Sequence, residues 1–285
     1  MLQDVVRVLA PRQGESYLDL TAGYGGHARA ILDVTGDASI ATLVDRDASA
    51  VSALKPLIEQ GAQLIHMDFA ATAEQLAREG RQFDMILADL GVSSPHLDNG
   101  SRGFSFMHDA PLDMRMDPRQ ELSAEVLVNS RSEAELMEIL RTYGDEPRAR
   151  SIARAIIDSR PVTTTGQLAD TVSRIYGRRG KTHPATRTFQ AIRIAVNDEL
   201  GQLERLLKTL PELLTPGGRV AIISFHSLED RLVKRYFAEE AKAGYEAQLK
   251  ILTKKPISGK SELVFNPRAR SAMLRGAVKI KREKG

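Results

Sequence analysis

Four short apolar runs alternate with helix-like segments through residues 1–90. The runs lie at 16–20, 40–45, 63–69 and 83–90, and the helix-like segments at 2–10, 26–32, 48–57 and 72–79. Such alternation is typical of a parallel sheet, because parallel neighbours are joined by crossovers that place helices on both faces. We therefore predict an α/β fold.

The distance between the fourth and fifth predicted strands indicates a second domain. The fifth strand, 218–225, follows the turn Thr215-Pro216-Gly217, so about 125 residues stand where a crossover needs about a dozen. Helix-period segments fill this interval, at 123–143, 147–159, 165–176 and 184–214, the last returning to the sheet from about Glu199. We predict a core of 1–105 and 199–285 and an inserted all-helical domain of 106–198. The stretches 250–257 and 271–281 are predicted to form a terminal strand pair with a basic tail.

The chain of 285 residues contains neither cysteine nor tryptophan. Disulfides, thiolate zinc sites and cysteine nucleophiles are thereby excluded. The chain also lacks an uncharged apolar run of about 18 residues and a basic-then-apolar N-terminal segment, so we expect neither a membrane span nor export. The predicted location is the cytoplasm, with no membrane partner.

The net charge of +3 conceals two basic segments. Residues 250–285 carry eleven Lys/Arg against two Glu, and residues 141–190 carry ten against four acidic residues. Since each phosphate that a basic residue neutralises releases counterions, such segments favour a polyanion such as RNA. Basic runs are also common on ordinary solvated surfaces, and charge alone does not separate the two interpretations.

Glycines and acids stand in series where the predicted strands end. The first strand runs into Asp19-Leu20-Thr21-Ala22-Gly23-Tyr24-Gly25-Gly26-His27, and the next three end at Asp45, Asp68-Phe69 and Asp89. Glycines at this place let a ligand approach the backbone, and an acid nineteen residues past Gly26 suits a ribose diol. The series indicates a nucleoside ligand over the strand ends.

The glycine pattern bears on which nucleoside is bound. A dinucleotide fingerprint needs a third glycine where Ala28 stands, and no Gly-Lys-Ser/Thr follows for a phosphate loop. Because a pyrophosphate needs that close approach, a ligand without phosphate is favoured, and S-adenosyl-L-methionine fits. A nicotinamide-dependent oxidoreductase shares the strand-end acids and stays an alternative, as does a non-catalytic RNA-binding factor that shares the basic tail.

Longer blocks of the sequence resemble a known family in order over nearly the whole chain. They are Asp19-x-Thr21-x-Gly23-x-Gly25-Gly26-His27, Asp89-Leu-Gly-Val-Ser-Ser, Arg102-Gly103-Phe104-Ser105-Phe106, Pro111-Leu112-Asp113-Met114-Arg115-Met116-Asp117, Thr188-Phe189-Gln190-Ala191-Ile192-Arg193, Ser224-Phe225-His226-Ser227-Leu228-Glu229-Asp230 and Asn266-Pro267-Arg268-Ala269-Arg270. These blocks are similar to those of the bacterial ribosomal small-subunit RNA methyltransferase H family, also called MraW. The resemblance implies a class I, Rossmann-like methyltransferase that uses S-adenosyl-L-methionine and recognises its substrate through the inserted helical domain.

The resemblance also implies a reaction and its residues. The reaction is N4-methylation of a cytidine in the decoding centre, at the P site, of 16S rRNA within the 30S subunit. The implied cofactor contacts are Gly25, Gly26, His27, Asp45, Phe69, Asp89 and His96. Asp89 is in addition the expected catalytic residue, which accepts a hydrogen bond from the reacting amine. A methyltransferase acting on an amino group of a protein or a small molecule is the nearest alternative.

The sequence defines the RNA-holding residues less sharply. The related amino-methyltransferase signature, Asp/Asn/Ser-Pro-Pro-Tyr/Phe, is replaced by Asp89-Leu90-Gly91-Val92, so the aromatic residue that stacks on the base must come from elsewhere. The nearest aromatic candidates and the basic candidates are Phe104, Phe106, Arg178, Arg179, Lys181, Arg268 and Arg270. We expect no metal, since His226 has no paired histidine nearby, and we assign it a hydrogen-bonding role.

Overall fold

The structure, a computed structural model, describes residues 1–91, 100–177, 183–261 and 267–280. Two compact units are present: Met1–Gly91 with Leu200–Gly285, called the sheet unit, and Val92–Glu199, called the helical unit. The first boundary follows Gly91 instead of residue 105, because the chain leaves the sheet soon after its fourth strand ends at Asp89. None of the helices in the described ranges combines the length and the hydropathy needed to cross a bilayer.

One mixed sheet organises the sheet unit. Its strands are β1 (Tyr17–Asp19), β2 (Ala41–Val44), β3 (Gln63–Ile65), β4 (Phe83–Asp89), β5 (Leu214–Ser224), β6 (Leu249–Ile251), β7 (Ile257–Ser258) and β8 (Met273–Lys279). The strand order is β3-β2-β1-β4-β5-β8-β6, with β7 also paired to β8. Strands β1 to β5 are parallel, whereas β8 runs antiparallel to β5 and to β6. This order confirms the predicted Rossmann-like α/β fold, and β6 with β8 forms the predicted terminal strand pair.

The helices follow the predicted alternation. They are α1 (Leu2–Leu9), α2 (Gly26–Thr35), α3 (Ala48–Ala53), α4 (Lys55–Glu59), α5 (Phe69–Arg78), α6 (Ala124–Ser130), α7 (Glu133–Gly144), α8 (Ala149–Asp158), α9 (Thr165–Tyr176), α10 (Thr186–Asn197), α11 (Glu199–Leu213) and α12 (Ser227–Lys242). In the described part of the helical unit, regular structure is helical apart from one bridge between Pro111 and Thr164.

Local capping shortens three predicted elements. The third strand ends at Ile65 instead of residue 69, because Asp68 accepts a hydrogen bond from the Ala71 amide and begins α5. The predicted helix 123–143 is interrupted because Ser132 begins α7 with a capping box. The predicted helix 184–214 breaks at Asp198, whose φ of 47° is left-handed.

Strand residues alternate between two apolar layers, one on each face of the sheet. Ile86 and Val220 pack into a cluster with residues of α5, α11 and α12, whereas Met85 and Ala221 pack into a second cluster with residues of α1 and α2. Because side chains alternate along a strand, Asp89 shares the face of Met85 and thus the face covered by α2.

A buried asparagine organises the loop that precedes α6 in the helical unit. Asn197 donates to the Met114 carbonyl and accepts from the Met116 amide, both at 2.8 Å. Beside it, Arg115 makes a two-pronged ion pair with Asp113, with both N–O distances 2.8 Å. The alternating charges of this loop are therefore held by partners within the loop.

Two basic residues of the C-terminal segment belong to the interior of the sheet unit. Arg275 on β8 is 8% exposed and makes a two-pronged ion pair with Asp230 of α12, at 2.7 and 3.0 Å. Lys279 is 2% exposed and donates to the Leu214 carbonyl. The positive charge of residues 250–285 is thus only partly a surface property.

We predict that Arg275→Ala lowers the free energy of unfolding by about 2–3 kcal/mol, because it leaves the Asp230 carboxylate without its buried partner. Arg235→Ala is the matched control, since it breaks an exposed ion pair on the same helix. Arg235 and Glu239 are 3.8 Å apart, and their side chains are 66% and 68% exposed. We expect the control to lower the free energy of unfolding by about 0–0.5 kcal/mol. Chemical denaturation of both variants measures the difference. Equal losses would show that Arg275 does not stabilise the fold in this way.

Candidate functional site

The carboxyl ends of β2, β1 and β4 bring three acids to one edge of the sheet. Asp19 and Asp89 are the last residues of β1 and β4, and Asp45 follows β2 directly. Register places Asp19 opposite Leu43 on one side and Leu87 on the other. The strand-end series predicted from the sequence is therefore assembled in space, at the edge where ligands of parallel α/β sheets bind.

Asp45 holds the glycine turn that follows β1. One carboxylate oxygen accepts from the Gly23 amide at 2.8 Å, and the other accepts from the Asp47 amide at 2.9 Å. A carboxylate is an acceptor of the kind that a ribose hydroxyl needs. Asp45 consequently positions the turn as well as offering an acceptor to a ribose.

Gly25 and Gly26 have different roles at the start of α2. Gly25 caps the helix with a φ of 76°, and a Cβ there would lie 3.1 Å from a Leu54 methyl and 3.2 Å from a Leu57 methyl. A Cβ on Gly26 would meet no atom within 4 Å. A side chain at Gly25 therefore points toward the leucines, and it is Gly26 that leaves open space beside the helix N-terminus.

A chain of hydrogen bonds fixes Asp89 relative to β1. The Tyr17 hydroxyl donates to one oxygen of the buried Asp19 at 2.8 Å, and the Thr21 amide donates to the other at 3.2 Å. The Thr21 hydroxyl oxygen in turn accepts from the Asp89 amide at 2.6 Å. Asp19 thus supports the site from beneath. Asp19 and Thr21 belong to the glycine-turn motif of the sequence, but the sequence alone did not predict this supporting role.

The Asp89 carboxylate lies in an unusual environment. Its Oδ1 atom is buried and has no hydrogen-bond partner among the described residues, although 28% of the side chain is exposed. Burial, with the charge of Asp19 as the second cause, raises the pKa of Asp89 to about 7. Burial, with a smaller contribution from the charge of Asp45, also raises the pKa of Asp19 to about 7. The edge therefore carries two acids that titrate near neutrality.

His27 lies next to Asp89 at the first turn of α2. Its Nδ1 atom is 3.7 Å from Asp89 Oδ2, which is beyond hydrogen-bond distance. Burial lowers the pKa of His27 to about 4, so the imidazole is neutral at pH 7 and forms no ion pair with Asp89. The negative charge that Asp89 carries on ionisation thus remains available to a ligand.

This donor and acceptor set fits S-adenosyl-L-methionine. The unpartnered Oδ1 of Asp89 suits an N–H group or a positive charge, Asp45 suits ribose hydroxyls, and the amides at the start of α2 suit a carboxylate. The ligand has a positive sulfonium and amine and carries no phosphate. Gly26, Asp45 and Asp89 are the residues that would hold it.

Other predicted site residues lie in different surroundings. Phe69 is 9% exposed and belongs to the apolar cluster beneath α5. Phe104 is 8% exposed within the core of the helical unit. Phe106 stacks on His183 at 4.4 Å between ring centroids and meets Phe189 edge-on at 5.0 Å. Phe104 is therefore a core residue of the helical unit, and Phe106 packs against two rings of that unit.

The basic candidates divide by what the structure describes. Arg270 is exposed, in a turn of 3₁₀ helix at Pro267–Ser271. Arg268 belongs to the same turn, and its side chain lies outside the described part. Arg178, Arg179, Lys181 and the cofactor candidate His96 also lie outside the described residues.

His226 and Glu229 shape the chain after β5. His226 is the N-cap of α12, and its Nδ1 accepts from the Glu229 amide at 3.4 Å. The buried Glu229 carboxylate accepts from the Phe225 amide at 2.8 Å and the His226 amide at 3.2 Å. The hydrogen-bonding role expected of His226 thus takes the form of a helix cap, and Glu229 is a residue that sequence reasoning missed.

We predict that Asp89→Asn raises the melting temperature of the ligand-free protein at pH 8. The pKa of Asp89 is about 7 in the folded state and 3.8 ordinarily. Between these two pH values, the folded state therefore binds a proton that the unfolded chain has released. Stability is therefore lost as pH rises toward about 7, and the amide removes that loss. Thermal melts at pH 5 and pH 8 measure it.

The exposed Asp33 on α2 is the control for this substitution. Asp33→Asn should leave the difference between the two melting temperatures as it is in the wild type. A lower melting temperature of Asp89→Asn at pH 8 than at pH 5, by the same amount as in the wild type, would contradict the proposed cost of burying Asp89.

Proteins of similar sequence are known in several bacteria. The chain is 48% identical over 284 residues to "Ribosomal RNA small subunit methyltransferase H" of Synechocystis, covering 97% of this chain and 91% of that one. It is 50% identical to the protein of that name in Trichormus variabilis, covering 97% and 90%. The corresponding protein of Acidobacterium capsulatum is 46% identical over 291 residues, covering 98% and 97%.

Solved structures resemble the chain more distantly. An rRNA methylase from Streptococcus thermophilus is 10% identical with a TM-score of 0.43, covering 98% of this chain and 94% of that one. TrmN from Thermus thermophilus is 14% identical with a TM-score of 0.45, covering 98% and 48%. The fold assignment rests on the strand order instead.

A family model described as the MraW methylase family matches residues 1–280. With relatives near 50% identity along almost its full length, this chain belongs to the MraW methylase family and is a methyltransferase that uses S-adenosyl-L-methionine.

Proposed function

We propose that this enzyme methylates the exocyclic N4 of a cytidine in the decoding centre, at the P site, of 16S rRNA within the 30S subunit. The relatives carry names that state a ribosomal small-subunit RNA substrate, and family membership carries that substrate class to this chain as a proposal. The helical unit, with the basic stretch 141–190, is proposed to recognise the RNA. The cytoplasm stays the predicted location.

One observation carries the choice of an amino group as the methyl acceptor. Within the part of the chain that the structure describes, the buried Oδ1 of Asp89 has no partner, and Asp89 lies at the end of the central strand beside the glycine turn. An acceptor of this kind pairs with a group that brings an N–H, which an exocyclic amine does. A hydroxyl or an amine on another molecule would also satisfy it, so the experiment must identify the methylated nucleoside.

The residues of the chain have a limited chemical task. The N4 lone pair is delocalised into the cytosine ring, so the site must hold the amine in line with the methyl group; well-oriented groups gain about 7–11 kcal/mol over free ones. Bound S-adenosyl-L-methionine supplies an electrophilic methyl group on a positive sulfur. Asp89 holds one N–H, and the hydrogen bond favours a lone pair directed at the methyl carbon.

The proton is released only as the new bond forms. The N4 lone pair makes the C–N bond, the C–S bond breaks with its electrons moving to sulfur, and the amine loses one proton. Asp89 can take that proton, because its pKa of about 7 lies near neutrality. A stronger base is unnecessary, since the nitrogen becomes acidic only when the methyl group has arrived.

The target base must leave its stack to reach this edge. Unstacking costs a few kcal/mol, and the cost is smaller in single-stranded RNA. A substrate segment of ribosomal RNA that is already unpaired therefore suits the site.

We predict that Asp45→Ala weakens S-adenosyl-L-methionine binding by about 1.5–3 kcal/mol, because the variant loses an acceptor for the ribose and releases the Gly23 amide. Calorimetric titration of the folded variant measures the change. Asp37→Ala is the control: it removes an aspartate that caps a turn by accepting from the Ser39 amide, and it should leave affinity unaltered. Equal affinity of Asp45→Ala and the wild type would remove Asp45 from the cofactor site.

The proposed function is tested by transferring labelled methyl groups to 30S subunits from cells that lack the enzyme. Nucleoside analysis of the RNA should find N4-methylcytidine. Asp89→Ala should lower the transfer rate at least about 100-fold while RNA binding stays close to wild type, since the lost contact is made to the reacting amine. Asp33→Ala should be fully active.

Two results would count against the proposal. Label recovered in ribosomal protein, or in a nucleoside other than N4-methylcytidine, would show a different acceptor. Turnover of Asp89→Ala within a few-fold of wild type would show that the carboxylate does not hold the amine.

A further inference from the structure

The proposed reaction needs an aromatic surface to hold the base next to Asp89, and the sequence lacks it at the usual place. In the related signature the aromatic stands three residues after the acid, where this chain has Val92. Phe104 lies in the core of the helical unit, and Phe106 is stacked against His183. The aromatic surface must therefore be sought elsewhere at the sheet edge.

Phe225 lies at this edge, one strand beyond Asp89. Strands β4 and β5 are parallel neighbours, and Asp89 is level with Ile223. Phe225 directly follows the end of β5 at Ser224, two residues after Ile223. It is half-buried and packs against the same apolar cluster as Met85 and Ala221. The ring therefore belongs to the face of the sheet that also carries Asp89.

The strand order sets Phe225 apart from the cofactor residues. Asp45, Asp19 and Asp89 follow β2, β1 and β4, and β5 lies on the far side of β4 from β1 and β2. A methyl donor held by the turn after β1 and by Asp45 would leave the β5 side of Asp89 for the acceptor. Phe225 is thus placed on the acceptor side.

Gly91 makes room for the Phe225 ring. A Cβ on Gly91 would lie 3.3 Å from a ring carbon of Phe225 and 3.7 Å from another. Gly91 also has a φ of 96°, which a residue with a side chain adopts only with strain. The proline of the usual signature would have neither this φ nor this clearance. The glycine and the phenylalanine therefore form a matched pair across β4 and β5.

The backbone at Phe225 is held in place from below. The buried Glu229 carboxylate accepts from the Phe225 amide at 2.8 Å, and Gly91's neighbour Leu90 donates to the Ile223 carbonyl at 2.9 Å. A ring on a fixed backbone loses little conformational freedom when a base stacks on it. Glu229 acts here as a positioning residue.

We propose that Phe225 supplies the aromatic face on which the target cytosine stacks, replacing the aromatic of the usual signature. This inference rests on the proposed function, since it names the residue that places the cytidine N4 beside Asp89. Stacking holds a base without distinguishing it from other bases, and Asp89 then selects the exocyclic amine.

The first experiment measures single-turnover methylation of 30S subunits at saturating S-adenosyl-L-methionine. Phe225→Leu keeps the apolar contact with the core and removes the ring face, so the rate should fall about 10- to 100-fold. Phe225→Tyr should stay within about 3-fold of wild type. Cofactor affinity and melting temperature should change little in either variant. Tyr236→Leu, which alters an aromatic packed against the opposite face, should be fully active.

A role confined to packing would produce a different pattern. Phe225→Leu would then keep its turnover, or would lose melting temperature and cofactor affinity together with turnover while Phe225→Tyr lost them as well. Either pattern overturns the inference while methylation by the wild type upholds the proposed function.

The second experiment does not depend on turnover and uses the absence of tryptophan from the chain. Phe225→Trp introduces the only tryptophan of the chain, whose fluorescence can be excited apart from that of the tyrosines. Cytidine 5′-monophosphate should quench it saturably in the presence of S-adenosylhomocysteine, whereas ribose 5-phosphate should not. Tyr245→Trp, at a side chain 96% exposed, is the control and should respond to neither. If cytidine 5′-monophosphate quenches Phe225→Trp while the wild type does not methylate 30S subunits, the proposed function is refuted and base stacking is upheld. Equal responses of Phe225→Trp to both probes would overturn the inference.

Discussion

The site depends on the carboxylate of Asp89, which the sheet holds in a largely buried position. Asp89 ends the central strand β4, which is paired on one side with β1 and on the other with β5. Its amide is bound by the Thr21 hydroxyl, and the next amide is bound by the Ile223 carbonyl. These two hydrogen bonds hold the backbone at the end of β4 in place and keep the carboxylate at the sheet edge beside Asp19. A raised pKa and an unpartnered oxygen are the consequences.

Burying the Asp89 carboxylate costs free energy, but the same burial strengthens its interaction with a ligand. An isolated acceptor in a poorly solvated place interacts strongly with any N–H or positive charge that enters, because little water has to be displaced from it. Asp19 increases this effect by its charge while the Tyr17 hydroxyl and Thr21 amide satisfy its own oxygens. The two acids thus have different roles. Both oxygens of Asp19 accept hydrogen bonds and support the turn, whereas Asp89 offers an acceptor to the ligand.

Local sequence patterns were sufficient to predict the alternation of strands and helices along the chain and the acids at the strand ends. They were insufficient wherever a residue's partner is distant in the chain. Asp45 was predicted as a ribose contact, but its bonds to Gly23 and Asp47 require the turn geometry. Arg275 belongs to the basic segment 250–285, whose charge alone does not reveal a buried ion pair, because its partner Asp230 lies 45 residues away on α12. Phe104 is conspicuous in the sequence, and only the packing of the helical unit shows that it is a core residue. The break at Asp198 depends on one left-handed residue that no apolar pattern reveals.

Moving the aromatic from the loop after β4 to the end of β5 changes how the acid and the ring are held together. In an Asp-Pro-Pro-Tyr arrangement both groups belong to one loop, and their separation follows the conformation of that loop. Here the separation is set by the register between β4 and β5, which pairs Asp89 with Ile223 two residues before Phe225. A ladder of backbone hydrogen bonds resists sliding, because a shift of one residue would move every side chain to the opposite face. The distance between acceptor and ring is then a property of the sheet. The aromatic residue is then not required in the sequence that follows Gly91, where Val92 stands at its usual place.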